Sequence, residues 1–134
     1  MRCHVHLFFR TAMLVTKIHY HRLSKQLDVT FDKHQCVQFS AEFLRVHSPS
    51  AEVQGHGQPL LVTNKKDVTI DKIEPVGHYA VRLTFSDHHN TGLYSWEYLT
   101  YLAQNQETLW QQYLNQLKNK KASRDPLIPI QIKH

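Results

Sequence analysis

Three histidines and one carboxylate have the residue types and the spacing to do chemistry in this chain. The polar run Arg45-Val46-His47-Ser48-Pro49-Ser50-Ala51-Glu52-Val53-Gln54-Gly55-His56-Gly57 supplies His47, Glu52 and His56. The later run Asp87-His88-His89-Asn90 adds His89. Imidazole and carboxylate donors converging from two loops would suit zinc or iron, so His47, His56 and His89 are the candidate metal ligands. The competing reading is structural. His47 and Ser48 would satisfy the open carbonyls of a helix end, and Gly55 and Gly57 would shape a loop.

Other constellations are missing. The four glycines never take the G-x-x-x-x-G-K spacing of a phosphate cradle. There is no G-x-S-x-G elbow. No histidine stands two positions before an Asp or Glu, so the H-x-D/E pair of a two-histidine, one-carboxylate iron site is absent. Cys36 falls in an alternating stretch and reads as a structural thiol rather than a nucleophile. These absences point away from an enzyme.

The elements that must position the candidates come from periodicity. Val15–His21 and Lys25–Phe31 alternate, the second placing Leu27, Val29 and Phe31 on one face, and read as strands joined by Arg22-Leu23-Ser24. Asp32-Lys33-His34-Gln35 is a turn and Cys36–Phe39 a third strand. Ser40 then caps a short helix, Ala41–Arg45, with Glu42 in its first turn, and Ser48-Pro49-Ser50 ends it. After a loop over Pro49–Pro59, Leu60–Val62 reads as a short strand, Val68–Ile73 as another strand or an irregular edge, and Pro75-Val76-Gly77 as a turn. Tyr79–Phe85 alternates cleanly, Thr91–Tyr94 follows, and Ser95 caps a longer helix. A break at Asn105 separates it from a last helix, Gln106–Lys118, with Leu109, Trp110, Tyr113, Leu114 and Leu117 on one face.

One small unit is used twice. A shift of 55 lays Asp32–Leu44 on Asp87–Leu99, matching Asp32, His34, Ser40, Glu42 and Leu44 with Asp87, His89, Ser95, Glu97 and Leu99. Phe39 meets Tyr94 and Phe43 meets Tyr98. The expected fold is therefore α+β: an antiparallel sheet built from two hairpin-plus-helix units with an additional C-terminal helix. Residues 14–120 form the domain. Residues 1–13 read as a flexible extension, or as a start misplaced ahead of Met13, and 121–134 as an extended tail.

Composition limits the partners. The chain has 134 residues, 41% hydrophobic and 20% charged, with a net charge of +5. That describes one globular domain. No apolar run is long enough to span a bilayer. The positive residues are scattered except for Lys118, Lys120 and Lys121, which argues against nucleic acid. Cys3 and Cys36 make neither a disulfide framework nor a metal motif, and the cytosol is the expected compartment. A protein partner is expected, with Tyr94, Trp96 and Tyr98 as the candidate aromatic interaction patch.

The runs Phe39–His56 and His89–Leu99 resemble the gamma-butyrobetaine hydroxylase-like N-terminal domain family, in particular its small bacterial stand-alone members, and the resemblance extends over roughly Thr16–Leu117. It implies a domain that in hydroxylases precedes a separate catalytic domain dependent on iron and 2-oxoglutarate; nothing in this sequence resembles that domain. It also implies a structural zinc held by three cysteines and one histidine. Those positions fall here on Ser48, Ser50, Val53 and His89. Two serines and a valine replace the cysteines, so the resemblance implies that zinc is not held in the family's manner. Other members similar to this chain are joined to P-loop ATPases that carry iron–sulfur clusters. The resemblance thus implies an accessory role in iron or iron–sulfur handling, with no certain cofactor and iron or zinc as the metals to consider.

Overall fold

The computed structural model describes residues 14–32, 35–50 and 61–126. Strands β1 (Val15–His21), β2 (Gln26–Phe31) and β3 (Cys36–Ser40) lead into helix α1 (Ala41–Val46). Strands β4 (Ile70–Val76), β5 (Ala80–Phe85) and β6 (Leu93–Ser95) lead into helix α2 (Trp96–Asn119). The fold is α+β as expected. Each unit carries its own three-stranded antiparallel sheet, in the orders β1-β2-β3 and β4-β5-β6.

The repeat goes deeper than the matched residues. β4 lies 55 positions after β1 at both ends, and each has a register shift at the same place, between Val15 and Lys17 and between Ile70 and Lys72. A β-bulge of this kind turns the strand's early residue to the other face. That is why Val15 packs on the core with Ile18 and Tyr20 instead of following Lys17, His19 and His21 outward. Hydrogen bonds repeat as well. Phe31 N donates to Gln35 O at 2.6 Å, and Phe85 N donates to His89 O at 2.9 Å. The backbone counterpart of His89 is thus Gln35, not His34 as the shift of 55 implies.

The two helix caps form as the sequence predicts. Ser40 Oγ accepts from Phe43 N at 3.0 Å and Ser95 Oγ from Tyr98 N at 2.9 Å, each satisfying an amide that the first turn leaves open. One continuous core joins the units, with Leu27, Val29, Phe31 and Phe39 from the first and Leu83, Phe85, Tyr94 and Leu99 from the second.

Several expectations are corrected. Residues 61–63 form no strand; Leu61 and Val62 pack as loop residues against the end of α2, near Tyr113 and Leu117. Pro75 and Val76 belong to β4, and the turn is Gly77-His78-Tyr79. The break expected at Asn105 is present: Asn105 leaves helical geometry, with φ −119° and ψ 15°, so α2 is two helical segments meeting at a kink, where Asn105 Nδ2 donates to Tyr101 O. Cys36 is half-buried on β3 and is not a free thiol.

The start of the expected tail docks on the chain itself. Asn64 N donates to Ser123 O and Lys66 N to Arg124 O, both at 2.9 Å. Arg124 forks onto Glu42 at 2.8 and 2.7 Å and lies over the Trp110 ring.

Candidate functional site

The site lies where the end of α1 meets the β5–β6 connection of the second unit. A helix end leaves its last carbonyls without intrahelical partners, and α1 is too short to hide them. His47 Nδ1 donates to Phe43 O at 2.9 Å. Ser48 N donates to Arg45 O at 3.3 Å. Two tyrosines of the second unit supply the rest: Tyr94 Oη donates to Leu44 O, and Tyr98 Oη donates to His47 O at 2.6 Å. Burial pushes the Tyr94 hydroxyl far up and Tyr98 up to about 12, so both remain donors.

Beyond the cap, Ser48, Ser50 and His89 gather in the interior. Ser48 Oγ is 2.8 Å from His89 Nε2, Ser50 Oγ is 3.4 Å from the same nitrogen, and Ser50 N donates to Ser48 Oγ at 3.3 Å. Ser48 is fully buried, Ser50 is 4% exposed and His89 7%. Gly92 closes the group. A Cβ built there would stand 2.3 Å from Ser48 Oγ, so only glycine lets the backbone approach this closely.

Asp87 anchors the turn that carries His89. Its Oδ1 accepts from His89 N at 3.3 Å. Its Oδ2 takes Arg45 Nε at 2.8 Å and Lys65 Nζ at 2.6 Å. Burial alone would raise the Asp87 carboxyl, but the bonds from Lys65 and Arg45 outweigh it and hold it at about 2. His47 is lowered too, but by burial itself. Burial lowers it, only partly offset by its bond to Phe43 O, so it stays neutral at pH 7.

Of the candidate ligands, His56 lies outside the described residues, as does Glu52. His47 and His89 border the same end of α1, but each has a ring nitrogen committed to a different partner. Among the described residues no three His, Cys, Asp or Glu side chains form a group that could hold a metal ion.

The aromatic candidates have structural contacts of their own. Tyr94 is fully buried, so an exposed patch of Tyr94, Trp96 and Tyr98 is corrected at its first member: the alternation of β6 turns Tyr94 inward. Trp96 is half-buried, and its Nε1 donates to His78 O at 2.8 Å. Tyr98 is half-buried, with its hydroxyl on the α1 cap.

The gamma-butyrobetaine hydroxylase-like N-terminal family model matches residues 18–100. The chain belongs to this family. It is 51% identical to a protein solved in solution by NMR, covering 96% of this chain and 98% of the other, with a TM-score of 0.76. A second NMR structure is 42% identical over 90% of this chain and 98% of the other, also with a TM-score of 0.76. A crystal structure of a protein of unknown function from Acidithiobacillus ferrooxidans ATCC 23270, of the DUF971 family, is 37% identical, covering 67% of this chain and 92% of the other, with a TM-score of 0.58. No curated protein matches the chain.

The zinc expected of hydroxylase relatives can now be tested against the donors. Three of the four aligned positions, Ser48, Ser50 and His89, do come together; Val53 lies outside the described residues. Two neutral hydroxyls and one imidazole already share hydrogen bonds there. Structural zinc takes thiolates and imidazoles in a closed set of four. Among the described residues this donor set does not fit zinc, and Ser48, Ser50 and His89 form a buried polar seam.

The residues that sequence reasoning missed are Gly92 and Lys65. Gly92 sits next to the matched turn and was visible as one of only four glycines. Lys65 reaches Asp87 from a loop with no periodicity to mark it.

Proposed function

We propose that this chain is a non-catalytic accessory domain that acts by binding a protein partner. One observation carries the reading: the serines and histidines with catalytic potential are spent inside the fold. Ser48 stands beside a histidine as a nucleophile would, yet it is fully buried. Asp87 spends one carboxylate oxygen on the backbone amide of His89. The matched family is described by an N-terminal unit rather than by a catalytic one, which supports the same reading. No helix among the described residues is long and apolar enough to cross a membrane. The resemblance directs the search for the partner toward iron and iron–sulfur proteins of the cytosol.

Quantitative co-purification of the full chain at native expression level, with cross-linking and mass spectrometry, tests the proposal. One partner should be recovered in near-stoichiometric amount, and purified partner should bind purified chain directly. A chain that remains alone under cross-linking at native level, or that turns over a small substrate with loss on Ser48→Ala, would overturn it.

A further inference from the structure

We infer that the strap over residues 122–125 stands in for the protein partner of the accessory reading, on which this rests: the surface beneath the strap is a peptide-binding site for an extended segment that carries one arginine. The strap follows the end of α2 and lies along the irregular residues 64–66. Three donors there meet three successive carbonyls. Asn64 N donates to Ser123 O and Lys66 N to Arg124 O, both at 2.9 Å, and Asn64 Nδ2 donates to Asp125 O at 2.7 Å. Bonds of this kind hold an extended main chain and leave the choice of sequence to side-chain pockets.

One side chain makes that choice here. Arg124 Nε and Nη2 donate to the two oxygens of Glu42 at 2.8 and 2.7 Å, a planar fork that a lysine cannot reproduce. The guanidinium carbon stands 5.0 Å from the centre of the Trp110 ring, within cation–π range. The Glu42 side chain is 5% exposed and that of Arg124 35%, so the carboxylate belongs to the interior and the arginine is laid on it from outside. Ala122 packs against the cluster of Val46, Tyr113 and Leu117, whereas Ser123 and Asp125 are exposed. Lys66 Nζ is 3.8 Å from Asp125 Oδ1, an exposed pair that adds little. The surface therefore selects a small apolar residue followed two positions later by arginine.

The strap is held to a loop rather than to a sheet, and segments with exposed backbone bonds of this sort open before the core does. Its departure strands the buried Glu42 carboxylate, and a buried charge stripped of its partner is strongly destabilising. Exchange is therefore favoured only when another cation takes the place of Arg124, which is what selects an incoming arginine. Occupancy is also felt at the seam, because Lys65, between the two donating residues, places Nζ 2.6 Å from Asp87 Oδ2 on the turn that carries His89.

The test uses the full 134-residue chain with Arg124→Ala, which removes the anchor of its own strap, and the peptide Ala-Ser-Arg-Asp-Pro copied from residues 122–126. The amide signals of Asn64 and Lys66 and the Trp110 indole signal, followed by NMR, should all shift as peptide is added. A peptide with lysine in place of arginine should bind at least about 10-fold more weakly. The wild-type chain should also bind the arginine peptide at least about 10-fold more weakly, since its tethered strap competes at high effective concentration. Adding Glu42→Gln should abolish the preference for arginine over lysine. No response of these signals at millimolar peptide, or equal binding of the two peptides, would overturn the inference. Hydrogen exchange in the wild-type chain decides the matter even if the variant fails to fold. The amides of Asn64 and Lys66 should exchange at least about 100-fold faster than those of β2 and β5, and exchange at the rate of the core would mean a strap that opens only on global unfolding. The two failures separate: a chain that stays alone in co-purification sinks the accessory reading, whereas a chain that recovers a partner but ignores the peptide sinks this inference alone.

Discussion

The close approach of Gly92 to Ser48 can be tested by a double-mutant cycle. In Gly92→Ala the new methyl would meet Ser48 Oγ at 2.3 Å and Pro49 Cδ at 3.2 Å. Overpacking of this kind costs about 1–3 kcal/mol. The upper end applies, because the obstructing hydroxyl is fully buried and bonded to His89 and cannot swing aside. Ser48→Ala removes the acceptor of Ser50 N and the partner of His89 Nε2, a loss of about 1–3 kcal/mol. In the double variant the methyl finds no hydroxyl. Its nearest remaining contact in Ser48 is the Cβ at 3.5 Å, ordinary van der Waals distance. The double variant should therefore be about as stable as Ser48→Ala alone, with a coupling of roughly 2 kcal/mol between the two sites. Urea unfolding followed by far-ultraviolet circular dichroism would measure each corner. At about 2.1 cal/mol/K per residue, 3 kcal/mol in a chain of this length is a Tm shift of about 10 °C. If the two losses add to within about 0.5 kcal/mol, the seam is not packed as described.

Other outcomes follow from the same contacts. Tyr94→Phe keeps the ring but leaves Leu44 O without its donor, and should cost about 1–3 kcal/mol in urea unfolding, more than Tyr98→Phe at its half-exposed position. Asp87 has a folded-state value of about 2, below its ordinary 3.8. Its contribution is thus complete above about pH 4 and is lost as pH falls toward 2, a change of about 2 kcal/mol that Asp87→Asn should remove from the pH profile of the urea midpoint. His47 is also lowered by burial, so the unfolded chain takes up its proton first and stability should fall as pH drops below about 6.5; His47→Gln should flatten that part of the profile. Arg124→Ala strands Glu42, whose side chain is 5% exposed. A loss of about 1–3 kcal/mol is expected, discounted because Arg124 itself is partly in water, and hydrogen exchange should show residues 64–66 losing protection.

What could be read from the sequence was local. Ser40 and Ser95 announced their helices because a cap needs only the residue itself and an amide three positions on. Leu27, Val29 and Phe31 announced their face because β2 is regular. The bulge at Val15 was hidden, since an extra residue in a strand looks like continued alternation. The break at Asn105 was legible, and the segments on either side of it are anchored by Leu102 and Ala103 and by Tyr113 and Leu117. The site was least legible. Lys65, Arg45 and Asp87, or Tyr94 and Leu44, are 20 to 50 positions apart, and no periodicity links them. The residues alone marked Ser48 as a helix-end residue, and the family resemblance marked both serines as substituted ligands, but neither marked them as hydrogen-bonded partners of His89.

The differences between the two copies explain why this seam is closed. Phe39 and Phe43 of the first unit correspond to Tyr94 and Tyr98 of the second, and the added hydroxyls reach across to Leu44 O and His47 O at the end of α1. The first copy has no use for such hydroxyls, because α2 runs on for several turns past the matching point and bonds its own carbonyls. The short helix of one copy is thus completed by the other, and neither unit would be satisfied alone. Ser48, Ser50 and His89 sit directly behind that joint. Opening it to a substrate would uncap α1, and the carbonyls of Leu44 and His47 would lose their donors together, at about 1–3 kcal/mol each. A fold arranged in this way keeps the interior behind the end of α1 shut.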